Sequence, residues 1–248
     1  MPVVRPFRAL RYDAEAVGDR GLVVAPPYDV IDADERRALL ARSPYNVVRV
    51  DFPMGEFDDR DPDDKYRRAG RLLSKWRGDG IFRRDSRPSI YAYEQQVQQT
   101  GSHEMDARRG FFARVGLEPL GMRVLPDEET MLEPQEDRYR LLRATNANTS
   151  PVVGAYQDQS GLAARLLDNV AAAAPDLDVA DMAGNRHRLW VLTAGTDGRA
   201  EQLAELATGS SLTLTDGHDR YGAALRLQAE QRVGGPRSRT RKQPRSSP

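Results

Sequence analysis

The stretch Leu212–Leu225 constrains the fold most, because it predicts two elements and the turn that joins them. Its first half alternates polar and apolar residues as a half-buried strand does, and its second half has helical spacing. The pattern predicts a strand over Leu212–Thr215 and a helix over Asp219–Gln231. Only a tight turn is left between these two elements.

The turn itself, Asp216–Arg220, has the composition of an anion-binding site. A helix that starts directly after a strand presents unpaired backbone N–H groups and the positive end of its dipole. Gly217 allows close backbone approach, and His218 and Arg220 add donors. The alternative is structural, since Asp-Gly is a common turn and Asp219 is a common helix N-cap. The pattern alone leaves both interpretations open.

The composition excludes disulfides and zinc sites built on cysteine. The 248 residues suffice for one large domain or two small ones, and none of them is cysteine. No apolar run is long enough to span a membrane, and the N-terminus lacks a signal-peptide pattern. We therefore expect a soluble, cytoplasmic protein.

Charge is balanced over the chain but unevenly distributed. There are 37 basic and 37 acidic residues, and the segment after Gln231 contains basic residues and no acid. The rest of the chain is consequently acidic, which argues against a nucleic-acid-binding fold beyond weak contacts of the basic end. The expected partners are a small-molecule substrate or a nucleotide, and no membrane.

The remaining patterns predict a mixed α+β fold. Strand-like and helix-like segments alternate without a strict β-α-β rhythm, and two neighbouring strand patterns indicate a long hairpin with His103 and Glu104 at its tip. Residues 1–20 look irregular, and residues 124–135 form an acidic loop. Strands are predicted over residues 22–25, 46–52, 89–97, 110–117, 151–156 and 186–193, and helices over 35–42, 66–76, 136–145, 162–173 and 199–207.

Short motifs are spread along the chain. They are Pro6–Leu10, Ala25–Ile31, Ser43–Arg49, Arg87–Tyr93, Arg109–Phe112, Glu136–Arg138, Leu141–Thr145, Ala147–Pro151, His187–Trp190 and Asp216–Tyr221. Together and in this order they resemble the bacterial and archaeal family known as the domain of unknown function DUF1015. The resemblance covers about residues 3–230, and its specificity lies in the order of the motifs.

The last motif, Asp216–Tyr221, is similar to the phosphate turn of the ParB/sulfiredoxin superfamily, which includes nucleotide-using CTPases, sulfiredoxin and kinases of free serine. The resemblance implies binding of a nucleotide or pyrophosphate and phosphoryl transfer to the hydroxyl of a small metabolite. The chain departs from the usual motifs, with Asp127-Glu128 for His-Glu, Gln135 for Lys and His218-Asp219 for His-His. Each departure removes a donor or a positive charge, so the resemblance also implies a weakened or inactive member.

Phosphoryl transfer needs a phosphate cradle, charge neutralisation and a base near the nucleophile. Glu128 is the candidate base, with a solvated position in the acidic loop as its alternative. The other candidate catalytic residues are His218 and Asp216, and Asp216 and Asp219 are candidate Mg²⁺ ligands. The candidate phosphate-binding residues are Gly217, His218, Asp219, Arg220, Arg138 and Asn46. The donor is ATP, ADP or pyrophosphate, and the alternative function is a non-catalytic, degenerate nucleotide- or anion-binding regulator.

The end of the chain departs most from the family. The resemblance stops near Gln231, and residues 232–248 are rich in Arg, Ser, Pro and Gly. This composition predicts a disordered basic tail after a domain that spans residues 1–231. Family members are longer, so we expect a truncated or frameshifted member that exposes apolar surface and self-associates.

Overall fold

The computed structural model shows an α+β protein, as the sequence predicts, and describes residues 2–98, 105–128, 132–208 and 210–233. The helices are α1 (Ala14–Val17), α2 (Ala33–Arg42), α3 (Val48–Asp51), α4 (Asp64–Gly78), α5 (Leu132–Thr145), α6 (Leu162–Ala171), α7 (Arg199–Thr208) and α8 (His218–Val233). Two short 3-10 turns lie at Arg20–Leu22 and Tyr28–Val30. The strands are β1 (Val4–Arg5), β2 (Leu10–Tyr12), β3 (Phe82–Arg84), β4 (Ser89–Gln98), β5 (Met105–Phe112), β6 (Arg114–Val115), β7 (Val124–Pro126), β8 (Val153–Tyr156), β9 (Leu177–Ala180), β10 (Arg186–Thr193) and β11 (Leu212–Asp216).

The strands of the described chain form separate small sheets. One has the order β5-β4-β10-β9 with antiparallel pairing throughout, and its β4–β5 pair is the predicted hairpin. Its second strand ends at Phe112 and not at residue 117, because β6 leaves the hairpin to pair with β1. The hairpin tip with His103 and Glu104 lies outside the described residues. A second sheet has the order β7-β11-β8, in which β11 pairs parallel with β7 and antiparallel with β8. Two-stranded pairs, β1-β6 and β2-β3, complete the set.

Apolar faces of helices cover these sheets and fix the elements in place. The largest cluster packs Ile90 and Trp190 of the four-stranded sheet against α6 and α7. A smaller cluster joins Val124 of β7, Leu214 of β11 and Tyr221 of α8. Burying side chains of this size stabilises the folded state by about 1.5–3 kcal/mol each. The smaller cluster therefore holds the start of α8 firmly on its sheet.

A close helix pair positions α5. A Cβ atom on Gly70 of α4 would lie 2.5 Å from the carbonyl oxygen of Ala144, so only glycine permits this approach of α4 to α5. On its other side, α5 packs along α8. The pairing brings the middle of α5, where Arg138 lies, between α4 and α8.

Two predicted strands are wrong. Residues 46–52 contain the short helix α3, and residues 22–25 begin in a 3-10 turn and do not join a sheet. The cause is Asn46, whose amide donates to the carbonyls of Leu22 and Val24 at 2.9 Å while its oxygen accepts from the N–H of Val48. These side-chain bonds use the backbone groups that strand pairing needs.

Other differences concern short elements. Residues 1–20 are less irregular than expected, because β1, β2 and α1 lie there. The strand β9 has no counterpart in the sequence prediction, and the supposed loop over residues 124–135 includes β7 and the start of α5. Each of these elements is only a few residues long or is stabilised by pairing with a distant part of the chain. The local sequence pattern therefore predicts it poorly.

Candidate functional site

The turn between β11 and α8 has the geometry that the sequence predicts. Gly217 has a φ of +82°, a backbone conformation that suits glycine, and the N–H of Tyr221 bonds back to its carbonyl at 2.9 Å. Helix α8 therefore begins at His218, directly after the strand. Its first backbone N–H groups point out of the helix end, where they are available to an acceptor.

The neighbours of β11 bring two other segments to this turn. Because β7 runs parallel to β11, the chain leaving Pro126 reaches the same end of the sheet as the turn. Asp127 Oδ1 lies 2.8 Å from Nε2 of the buried His218. The pair does not meet hydrogen-bond geometry, so Nε2 makes no hydrogen bond among the described residues although this carboxylate oxygen faces it. Glu128 follows Asp127 and is exposed.

The Arg220 side chain folds back over the turn. Its guanidinium donates to the carbonyl of Pro151 at 2.7 Å and to Asp216 Oδ1 at 2.9 Å, and 10% of the side chain is exposed. A Cβ atom on Gly217 would lie 2.9 Å from Arg220 Nε, so the glycine also makes room for the guanidinium. Nε is buried and has no hydrogen-bond partner within the described chain.

Tyr28 connects the start of the chain to the turn. Its hydroxyl donates to Asp219 Oδ2, and the guanidinium carbon of Arg138 lies 3.7 Å from the centre of its ring. Burial, together with the hydrogen bond to Asp219, raises the pKa of Tyr28 well above its ordinary value. The hydroxyl therefore stays protonated and acts as a donor, which fixes the carboxylate of Asp219 at the start of α8.

Arg138 and Asp51 form a buried network beneath Tyr28. The Arg138 side chain is 4% exposed, and it donates to the carbonyl of Asp51 at 2.8 Å and to Asp137 Oδ2. The Asp51 carboxylate accepts from the hydroxyls of Thr149 at 2.5 Å and Ser150 at 2.6 Å. The network holds the chain just before Pro151, whose carbonyl accepts from Arg220.

Asp137 provides the second acid of this network. Burial opposes the ionisation of its carboxyl, but donors from Tyr66, Arg138 and Lys65 outweigh burial and lower the pKa of Asp137. Asp137 is therefore ionised near neutral pH and balances the charge of Arg138. Arg138 is therefore held by Asp137 and by the carbonyl of Asp51, and it reaches the turn through Tyr28.

The candidate residues separate into a connected group and outlying ones. Asp216, Gly217, His218, Asp219 and Arg220 share the turn, and Arg138 adjoins them through Tyr28. Asn46 is fully buried, and both N–H groups of its amide are already donated to backbone carbonyls. Asn46 therefore shapes the chain between residues 22 and 48, and its amide has no N–H left for a phosphate.

The fit of a metal ion rests on Asp216 and Asp219. Asp216 already accepts from Arg220, and Asp219 already accepts from Tyr28. Over the described ranges, no group of three or more His, Cys, Asp or Glu side chains is placed to hold a metal. Mg²⁺ commonly binds through one or two carboxylates together with water and ligand phosphates. These two residues fit that limited role and not a site built from protein ligands alone.

Several residues of the network were missed as site residues. Tyr28, Thr149, Ser150 and Pro151 lie within the motif segments Ala25–Ile31 and Ala147–Pro151, which were the available signal. Asp51 lies just beyond another motif. No spacing rule could have joined them, because their contacts cross distant parts of the chain.

Comparison with known proteins agrees with the motif pattern. The sequence matches the family described as "Protein of unknown function (DUF1015)" over residues 4–247. The chain belongs to this family. The match includes residues beyond Gln231, where the resemblance was expected to stop, although residues 234–248 lie outside the described structure. No curated protein and no solved structure matches the chain. Within the described residues, no helix has the length and apolar character needed to cross a bilayer.

Proposed function

We propose that the turn Asp216–Arg220 binds a phosphate group of a nucleotide or of pyrophosphate. The observation that carries the proposal is the buried Nε of Arg220, which has no hydrogen-bond partner in the described chain and lies on the same helix turn as the buried His218. Leaving a buried donor unsatisfied costs about 1–3 kcal/mol. Both residues belong to the first turn of α8, where the helix dipole also favours an anion.

The proposed reaction is phosphoryl transfer from ATP, ADP or pyrophosphate to the hydroxyl of a small metabolite, as in kinases of free serine. Its support is the pairing of β7 with β11, which places Asp127 against His218 and Glu128 one residue further along. Glu128 is exposed and able to approach an acceptor hydroxyl as general base. Asp216 and Asp219 are the carboxylates available to a Mg²⁺ ion that accompanies the donor.

A second function, non-catalytic binding of a nucleotide or another anion, has its own support. Arg220 is paired with Asp216, His218 lies against Asp127, and the carboxylate of Asp219 is fixed between Tyr28 and Arg220. These acids offset the positive charge that phosphoryl transfer uses to stabilise its transition state. A regulatory protein needs only the binding step.

Turnover separates the two functions. The purified chain is incubated with Mg²⁺, with ATP, ADP or pyrophosphate as donor, and with free serine and related hydroxylated metabolites as acceptors. Phosphorylated product is detected by mass spectrometry, and binding is measured by calorimetry. We expect Glu128→Gln to lower turnover about 100-fold while binding is retained. Glu133→Gln, also exposed and at the start of α5, is the matched control.

The outcomes differ for each proposal. Product formation that depends on Glu128 supports the phosphotransferase. Binding without product, for every donor and acceptor pair, supports the regulator. Absence of binding by all three donors rejects the phosphate-binding turn and both functions with it.

A further inference from the structure

Two arginines, Arg36 of α2 and Arg49 of α3, each reach across from one of these helices to a backbone carbonyl in or just after the other. Arg36 donates through Nε to the carbonyl of Phe52 at 3.2 Å, and Arg49 donates through Nη2 to the carbonyl of Leu40 at 2.8 Å. Both side chains are half-buried. Each is thus anchored by a neutral carbonyl, and in the described chain neither has a carboxylate within 4 Å.

The pair carries positive charge that the surrounding protein does not neutralise. Burial, and then the neighbouring charge of Arg49, lowers the pKa of Arg36. The acid that acts on Arg36 is Glu56, but this carboxylate lies 3.0 Å from Arg68 and is committed there. Two like charges held close together without a counter-ion are unfavourable, and an external anion relieves them.

Unused donor capacity accompanies the charge. Arg49 Nε is buried and has no hydrogen-bond partner among the described residues. An arginine elsewhere in the chain shows the contrast: Arg11 makes short bonds to both oxygens of Asp85. The planar donor set of a guanidinium matches the oxygen geometry of phosphate and carboxylate groups, and in Arg49 Nε is the donor that the protein leaves unused.

We propose that Arg36 and Arg49 form a second anion-binding site, which takes a compact oxyanion such as a phosphate or carboxylate group. The site lies between α2 and the C-terminal end of α3, and it shares no side chain with the turn. Phe52, whose carbonyl anchors Arg36, has its ring 6.2 Å from the ring of Tyr28. The two sites are therefore linked through Phe52 and Tyr28 and remain separable by mutation.

The test uses inorganic phosphate and succinate as probes, which distinguish a phosphate site from a carboxylate site. Binding is measured by calorimetry on the full chain and on the double variant Arg36→Gln/Arg49→Gln. We expect the double variant to bind at least one probe roughly tenfold more weakly, as loss of charge-assisted hydrogen bonds predicts. The matched control is Arg37→Gln, the next residue of α2, whose side chain is 76% exposed and pairs with Asp34.

Folding and independence are checked separately. Circular dichroism establishes that each variant is folded, and Arg49→Lys, which keeps the charge and loses Nε, replaces the double variant if that one does not fold. The proposal is overturned if the double variant, or this replacement, binds both probes as tightly as Arg37→Gln does. Arg220→Ala distinguishes it from the turn: the second site is expected to survive that change, whereas phosphate binding at the turn is not.

Discussion

Replacing Arg220 tests the turn most directly. In the folded chain this side chain donates to the carbonyl of Pro151 and to Asp216, and its Nε is the buried donor left over. Arg220→Ala removes all three groups at once. Pyrophosphate and ADP binding, measured by calorimetry, should weaken strongly, while the helix that begins at His218 is retained.

The size of the effect follows from the contacts. A hydrogen bond to a charged group contributes about 1.5–3 kcal/mol, so losing the contact of Arg220 with a phosphate should weaken binding roughly ten- to hundredfold. The bond to Pro151 makes a similar contribution to folding. The pair with Asp216 adds only about 0–1 kcal/mol, because that carboxylate is 44% exposed. The two contacts sum to about 1.5–4 kcal/mol, and removal of the unsatisfied Nε offsets about 1–3 kcal/mol of that loss, so Arg220→Ala should lower the free energy of unfolding by no more than about 3 kcal/mol.

Arg226 supplies the control on the same helix. It pairs with Glu136 and lies 3.7 Å from the centre of the Tyr139 ring, with no contact to the turn. Arg226→Ala should leave pyrophosphate affinity unchanged. Arg220→Lys keeps the charge without the planar fork, so its pyrophosphate affinity should lie between those of the unmodified protein and Arg220→Ala. It replaces the alanine variant if that variant is too unstable to assay. Equal affinity of Arg220→Ala and Arg226→Ala would refute the assignment of the turn as the phosphate site.

Further predictions concern the charge, backbone and pH dependence of the same region. Asp219→His removes the carboxylate held by Tyr28 and should tighten pyrophosphate binding roughly tenfold without Mg²⁺; tighter binding by the unmodified protein would mean that Asp219 contributes to the site. Gly217→Ala should lower the free energy of unfolding by about 1–3 kcal/mol, because φ is +82° there. Gly78→Ala, whose added Cβ meets open space, is its control in urea titrations and should not be destabilising. The pKa of Asp137 is lowered in the folded chain, so its contribution to stability is present at neutral pH and is lost as the pH falls below about 4; Asp137→Asn should flatten that acid limb, and an unchanged limb would contradict the network.

The sequence predicts those elements best whose residues face one core. Helix α4 shows the recurrence of Tyr66, Leu73 and Trp76, and all three are buried in one cluster. The strand β10 matches its predicted bounds, with Trp190 buried at its centre. Residues 46–52 fail for the opposite reason. Their alternation arises because Asn46, Val48 and Val50 are all buried around a short helix, and a two-residue period cannot distinguish that helix from a strand.

One part of the candidate site is predictable from neighbouring residues, and the other depends on contacts between residues far apart in the sequence. The turn is predictable because glycine, strand and helix signals lie within a few residues of one another. Its surroundings are not, since Tyr28 reaches Asp219 across 191 residues and Asp51 reaches Ser150 across 99. Those distant contacts decide the electrostatics of the turn. In sequence, His218 and Arg220 are two donor side chains beside a glycine, whereas in the folded chain Asp127 and Asp216 already face them. A ligand must therefore compete with protein carboxylates, so its affinity depends on the donors that those carboxylates leave unused.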